Sequence, residues 1–301
     1  MADEIHAVDA SDAATLATLV ELIAGQQQRR ERQVVYVGEQ PEGIRAELEA
    51  LDPPWTETVR LVRDGDAPRA VVLSEWDETI GRAWIFGPWV DGDDDAWDRW
   101  ASPLVASQLG LLPPTVTSLE LSGTTENERL ARLAGELGWP ATETNFAYVF
   151  DARTLDELPA VPEDGLRGVV AEDLGLIAPL HELEFPNTYF AASQLVERAA
   201  TGEHVVLVAT TDDGRFAGYA AGRIQPDGCA YIDFVAVDPS ARGAGAGRRL
   251  VAGLVRRLLP ESGTTEVHLT VQEHRAPARA LYASLGFRLD MGFVGYRSPA
   301  S

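Results

Sequence analysis

The chain has 301 residues, with 25 basic and 47 acidic side chains and a formal charge of −22. Such a surface repels duplex DNA, whose non-specific binding needs cationic side chains to displace counterions, and it attracts a small cationic substrate. One cysteine excludes a disulfide framework, no apolar run approaches the ~20 residues that span a bilayer, and the first ten residues lack the basic start of a secretory signal, so a cytoplasmic protein that binds neither nucleic acid nor membrane is expected.

At ~100–200 residues per domain the length predicts two domains. Composition divides the chain in the same way, because all seven tryptophans, from Trp55 to Trp139, lie in the first half. Residues 1–150 form the expected first domain. The acidic stretch 151–164, interrupted by Pro159 and Pro162, reads as a linker, and 165–301 form the second domain.

In that second domain an opening helix is expected near Leu174–Leu183, followed by strands at Val205–Thr210 and Phe216–Arg223 around the turn Asp212-Asp213-Gly214. A strand at Tyr231–Val237 precedes a helix over Arg248–Leu259, whose Leu250, Val251, Leu254, Val255 and Leu258 share one face. Val267, Leu269 and Val271 alternate as in a strand. Pro277 opens a short helix that Gly286 ends, and Phe293-Val294-Gly295-Tyr296 closes the half. The first half repeats fragments of this order at an offset of 148 residues. Leu137-Gly138-Trp139 stands opposite Leu285-Gly286-Phe287, and Ala83-Trp84-Ile85-Phe86 opposite Tyr231-Ile232-Asp233-Phe234, which points to duplication.

The most informative segment is Val237-Asp238-Pro239-Ser240-Ala241-Arg242-Gly243-Ala244-Gly245-Ala246-Gly247-Arg248, where a strand runs through a glycine loop into a helix. Side chains there would block close approach, so the N–H groups at the helix start are free to face phosphate oxygens with the helix dipole behind them. The Walker pattern requires a lysine, and the chain has none. The dinucleotide fingerprint requires a glycine where Arg248 stands.

The spacing Val-x-Pro-x-x-Arg-Gly-x-Gly-x-Gly resembles the acyl-CoA pyrophosphate loop of the GCN5-related N-acetyltransferases (GNAT). Arg275-Ala276-Pro277-Ala278-Arg279-Ala280-Leu281-Tyr282-Ala283-Ser284-Leu285-Gly286-Phe287 is similar to that family's second signature. The resemblance implies an α/β fold, two tandem domains each with a mixed, splayed sheet flanked by helices. It also implies acetyl-CoA as co-substrate and direct transfer to a primary amine of a small molecule or peptide in a ternary complex. His181, His204 and His274 lack the spacing of metal ligands and Cys229 stands alone, so no metal is expected. Backbone groups of Val235, Ala236 and Val237 would hold the pantetheine arm. Those of Arg242, Gly243, Ala244, Gly245, Ala246 and Gly247 would hold the pyrophosphate. Arg248, or Arg249, would either face a phosphate or remain a solvated surface charge. Arg275 replaces the motif's asparagine, so it would reach a phosphate rather than make the usual hydrogen bond.

Tyr282 matches the family's general acid, a phenol that stays protonated at neutral pH with a pKa near ~10. Asp233 projects from the strand that often carries the base. It serves either as that base or as the group that binds the substrate ammonium. His268 is the alternative base. Glu184, Phe185 and Tyr189 would line the acceptor pocket. At the same offset the first half replaces Arg242, Gly243, Gly245 and Gly247 by Asp94, Asp95, Trp97 and Arg99, and Tyr282 by Ala134. A degenerate first domain without cofactor is therefore expected. Tandem members that acetylate a cysteinyl aminosugar share this layout, and a non-catalytic acyl-CoA sensor is the reading from another class. Partners expected are the amine acceptor and, for assembly, a second copy in a homodimer.

Overall fold

A computed structural model describes residues 5–160, 165–186, 188–225, 228–263 and 265–299. The elements run β1 (Ile5–Ala7), α1 (Ala13–Gln27), α2 (Pro41–Glu49), α3 (Trp55–Thr58), β2 (Arg60–Asp64), β3 (Ala67–Asp77), β4 (Arg82–Val90), α4 (Asp94–Leu109), β5 (Ser118–Thr124), α5 (Glu128–Glu136) and β6 (Asn145–Asp151). They continue with β7 (Leu166–Gly168), α6 (Leu174–Glu184), α7 (Ala192–Thr201), β8 (Val205–Thr210), β9 (Phe216–Ile224), β10 (Ala230–Val237), α8 (Ala246–Leu258), β11 (Glu266–Gln272), α9 (Ala276–Ser284) and β12 (Arg288–Arg297).

Two compact units result, and they differ from the division in chain order. One comprises Met1–Asn145 with Met291–Ser301, the other Phe146–Asp290. The first unit orders its strands β1-β2-β3-β4-β5-β12 and the second β6-β11-β10-β9-β8-β7. Each unit thus takes its last strand from the other half of the chain. The physical reason is that β6 and β12 are interchangeable in kind. Tyr148 and Phe150 of β6 pack on Tyr282 and Phe287 in the second unit, whereas Val294 and Tyr296 of β12 join Trp97, Leu121 and Trp139 in the first. The expected linker is also packed chain. Asp151 ends β6, residues 152–157 form a 3-10 helix, and Leu158 is buried in the second core; residues 161–164 lie outside the described residues.

β10 runs parallel to β11 and β4 to β5, whereas β1–β2, β2–β3, β3–β4, β5–β12, β7–β8, β8–β9 and β9–β10 are antiparallel. In the second unit α8 covers one sheet face with Leu250, Leu254 and Leu258, all fully buried against Leu207, Ala220 and Ile232. Helices α6 and α7 cover the other face, where Ile177 and Leu195 meet Tyr219 and Phe234. Strand β10 buries Ala230 and Ile232 on the α8 side and Phe234 and Ala236 on the α6 and α7 side, the switch of face falling at a register shift between Ile232 and Phe234.

Candidate active site

β10 and β11 pair only from Ala230–Val267 to Ile232–Leu269 and then part. At the same point β10 carries a bulge against β9 between Ile232 and Phe234, which turns Asp233 out of the regular ladder. Beyond it the Asp238 N–H donates to Ala217 O. By antiparallel alternation the backbone groups of Val235 and Val237 therefore face the gap left by β11, and those of Ala236 turn to β9. Ala236 thus departs from its expected role; its side chain is buried under α6 and α7.

The gap leads to the glycine loop at the start of α8. Gly243 and Gly245 both have φ +81°, and a Cβ on either would meet nothing within 4 Å. They are required for the left-handed backbone, and they leave open space outside the loop. Gly247 has another reason. A Cβ there would lie 3.1 Å from Leu281 and 3.4 Å from Val237, so this glycine lets α8 approach β10 and α9. The first-turn N–H groups, from Ala246 to Arg248, lack partners within the helix and suit an anion.

The arginines expected around the phosphates are engaged by the protein. Arg242 donates to Glu184 Oε1 at 2.6 Å and to Val237 O. Arg275 donates to Glu184 Oε2 at 3.1 Å and to its carbonyl, and its guanidinium lies over Phe185. Arg248 donates to Ser284 Oγ at 2.7 Å, and Arg249 to Thr210 O at 3.0 Å. Glu184, expected at the acceptor, thus stands among the expected cofactor residues, because it ends α6 over the loop that follows β10.

Asp233 has a fully buried side chain. Tyr189 donates its hydroxyl to Oδ1 at 3.0 Å, and Arg223 Nε lies 3.3 Å from the same oxygen without aiming its N–H at it. On the other side His204 Nε2 is 3.6 Å from Oδ2. Burial pushes the Asp233 carboxyl above the ordinary carboxylate range, with Arg223 acting in the opposite sense. Phe190 and Phe234 enclose this group, the first under the guanidiniums of Arg198 and Arg223, the second packed on Tyr189 and Phe185.

Tyr282 is buried between Tyr148 and Phe287, and burial pushes its phenol up to about 12. Burial also pushes the Tyr231 phenol up, and the Asp233 carboxylate adds to this to a smaller degree. His268 stands opposite Tyr231 in the β10–β11 ladder with Nε2 3.5 Å from Glu266, and His181 is spent on Tyr219 and the Phe190 carbonyl. Sequence reading missed Arg223 and His204, which come from strands far along the chain and belong to no local pattern. Among the described residues no cluster of three or more His, Cys, Asp or Glu is placed to hold a metal.

In the first unit the equivalent gap holds the chain itself. β4 and β5 part beyond Ile85–Leu121, and Gln33–Val35 pairs with the freed edge of β5, Val35 N–H to Ser122 O and Thr124 N–H to Gln33 O. Asn127, where the motif's asparagine survives, donates to Gln33 O. The loop aspartates are occupied too, Asp91 by Arg69, Asp94 by Arg129 and Asp98 by Arg132, and Asp93 caps α4. Trp97 is not in the loop's path but buried in the core.

Residues 176–287 match the acetyltransferase (GNAT) family. A mycothiol acetyltransferase of Thermomonospora curvata is 42% identical over 88 residues, 29% of this chain and 29% of that protein, so the match spans less than a third of that relative. Among solved structures, a GCN5-related N-acetyltransferase from Sphaerobacter thermophilus aligns with a TM-score of 0.65 at 21% identity, over 99% of this chain and 96% of the other. A tandem GNAT protein from the clavulanic acid biosynthesis pathway aligns with a TM-score of 0.60 at 18% identity, over 99% of both chains. Likeness at that identity concerns the fold.

Proposed function

We propose that this chain, whose second unit belongs to the acetyltransferase (GNAT) family, is an acetyl-CoA-dependent N-acetyltransferase acting on a primary amine. The observation that carries the reading is the gap between β10 and β11, with a glycine loop at one end and the buried Asp233 carboxylate at the bulge where the strands part. The residues fit the co-substrate. Val235 offers its backbone N–H and carbonyl, and Val237 its N–H, to an amide-bearing arm, and Gly243 through Arg248 offer N–H groups to a diphosphate. Bound acetyl-CoA supplies an acetyl thioester with an electrophilic carbonyl carbon.

Asp233 takes the proton from the acceptor ammonium, and the freed nitrogen lone pair forms the C–N bond. As the C–S bond breaks, Tyr282 gives its hydroxyl proton to sulfur, the second proton shed by the new amide nitrogen passes to the Tyr282 phenolate, and the proton on Asp233 leaves to solvent, so that one proton is released overall. A phenol pushed up to about 12 stays protonated through the neutral range and is available as that donor. The aromatic enclosure of Phe185, Phe190 and Phe234 keeps bulk water from the carboxylate. The first unit, with its gap filled by Gln33–Val35, serves as a cofactor-free support.

The likeness to a mycothiol acetyltransferase favours a finer reading, in which the acceptor is a cysteinyl aminosugar. Thiol release from acetyl-CoA with a panel of amino acid amides, polyamines and aminosugars, the cysteinyl aminosugar included, tests both readings. Release with one class of amine, lost in Tyr282→Phe, is expected. CoA binding without release from any amine would instead indicate a sensor.

A further inference from the structure

We infer that His204 orients Asp233, donating Nε2–H to Oδ2 so that Oδ1, beside the Tyr189 hydroxyl, is the oxygen that receives the acceptor's proton. The inference rests on Asp233 as the base. His204 and Asp233 have side chains 1% and 0% exposed, and Nε2 lies 3.6 Å from Oδ2. Both ring nitrogens and Oδ2 lack a hydrogen-bond partner among the described residues. Buried polar atoms are rarely left so, and contacts of catalytic groups that are long in a free enzyme tighten when substrate is bound.

The surroundings select the protonation state. Facing His204 are Asp233 from β10, Arg223 from β9, Arg198 from α7, the neighbouring Glu203, and the edge of the Phe190 ring. Burial first, then Arg223 and Arg198, pushes the ring down to about 4, with Glu203 opposing. The ring is therefore neutral at pH 7, with one N–H and one lone pair, and a carboxylate selects the N–H toward itself. Around Asp233 the other groups are Tyr189, Arg223 and Tyr231. Oδ1 already carries the Tyr189 bond, so Oδ2 is the oxygen that a second donor fixes. His204 touches no reacting atom and acts through Asp233. In the step it serves, the proton passes from the acceptor nitrogen to Oδ1 and His204 keeps its own.

Two measurements test this. In ¹⁵N-histidine spectra of the free full-length protein, with the His204 signals identified by their loss in His204→Gln, the Nε2–H tautomer is expected at pH 7, and Asp233→Ala should abolish that preference. A dominant Nδ1–H tautomer would overturn the inference without an acceptor being known. In thiol release with the fastest amine of the panel, His204→Phe should lower kcat about 10- to 100-fold, leave the KM for acetyl-CoA unchanged and move the acid limb of the profile to higher pH, because the carboxylate loses a donor that favours its charged form. His204→Gln keeps an N–H near Nε2 and should restore most of the rate. A wild-type rate and profile in His204→Phe would overturn the role of His204 alone. A wild-type rate in Asp233→Asn would remove the base, and this inference with it.

Discussion

Arg242, in the glycine loop, donates to the carboxylate of Glu184, at the end of α6, over 2.6 Å. Arg275 reaches the same carboxylate, so one glutamate holds two cations where a diphosphate is expected to bind. A bound diphosphate would compete with Glu184 for them. Glu184→Gln should therefore bind CoA more tightly, by about two- to five-fold for partly exposed ion pairs. Calorimetry checks this, and weaker or unchanged binding would show that Glu184 does not compete.

Gly245 and Gly247 should fail in different ways. Gly245→Val forces a side chain into a left-handed backbone at φ +81°, at a cost of about 1–2 kcal/mol, and disturbs the N–H array; CoA binding should be lost with a modest fall in Tm. Gly247→Val drives atoms into Leu281 and Val237, so its main effect should be on Tm. Equal losses of stability in both variants would contradict the separate roles.

Gln27 holds the segment that fills the first unit's gap. It is fully buried, donates to Val34 O and Val37 O, and accepts from Val34 N and Trp89 Nε1. Gln27→Ala leaves several of these groups buried and unpaired, at roughly 1–3 kcal/mol each, so Tm should fall clearly. Titration of the wild-type chain should give one CoA per chain. Two per chain would show that the first gap opens.

The pH dependence follows from Asp233. The base works ionised, and burial has raised its pKa, so activity should rise with pH through a limb above the ordinary carboxylate range. Tyr282, pushed up to about 12, should add no alkaline limb in the accessible range. The kcat/KM profile checks both. An acid limb near ~4, the ordinary carboxylate value, would exclude Asp233 as the titrating group.

What was legible in the sequence is what is local in it. The glycine loop, Tyr282 and the strand carrying Asp233 each lie in one continuous stretch whose periodicity or turn chemistry specifies its geometry. Gly247 was legible as a glycine but not as a packing residue, since Leu281 approaches it from another helix. Arg223 and His204 meet Asp233 only because β8, β9 and β10 are adjacent in the sheet. The exchange of β6 and β12 was hidden because each carries a tyrosine and apolar residues that suit a sheet edge in either core. The filling of the first gap was hidden for a different reason: Gln33–Val35 resembles an ordinary loop, and its pairing with β5 is set by Gln27 and Asn127.

Hydrogen–deuterium exchange of the intact protein with and without CoA tests most directly where that molecule sits. Protection confined to the amides from Val235 to Arg248, with the segment around Gln33–Val35 unchanged, is the predicted outcome. Protection that leaves Val235–Arg248 untouched, or that appears along β4 and the start of α4 instead, would contradict it.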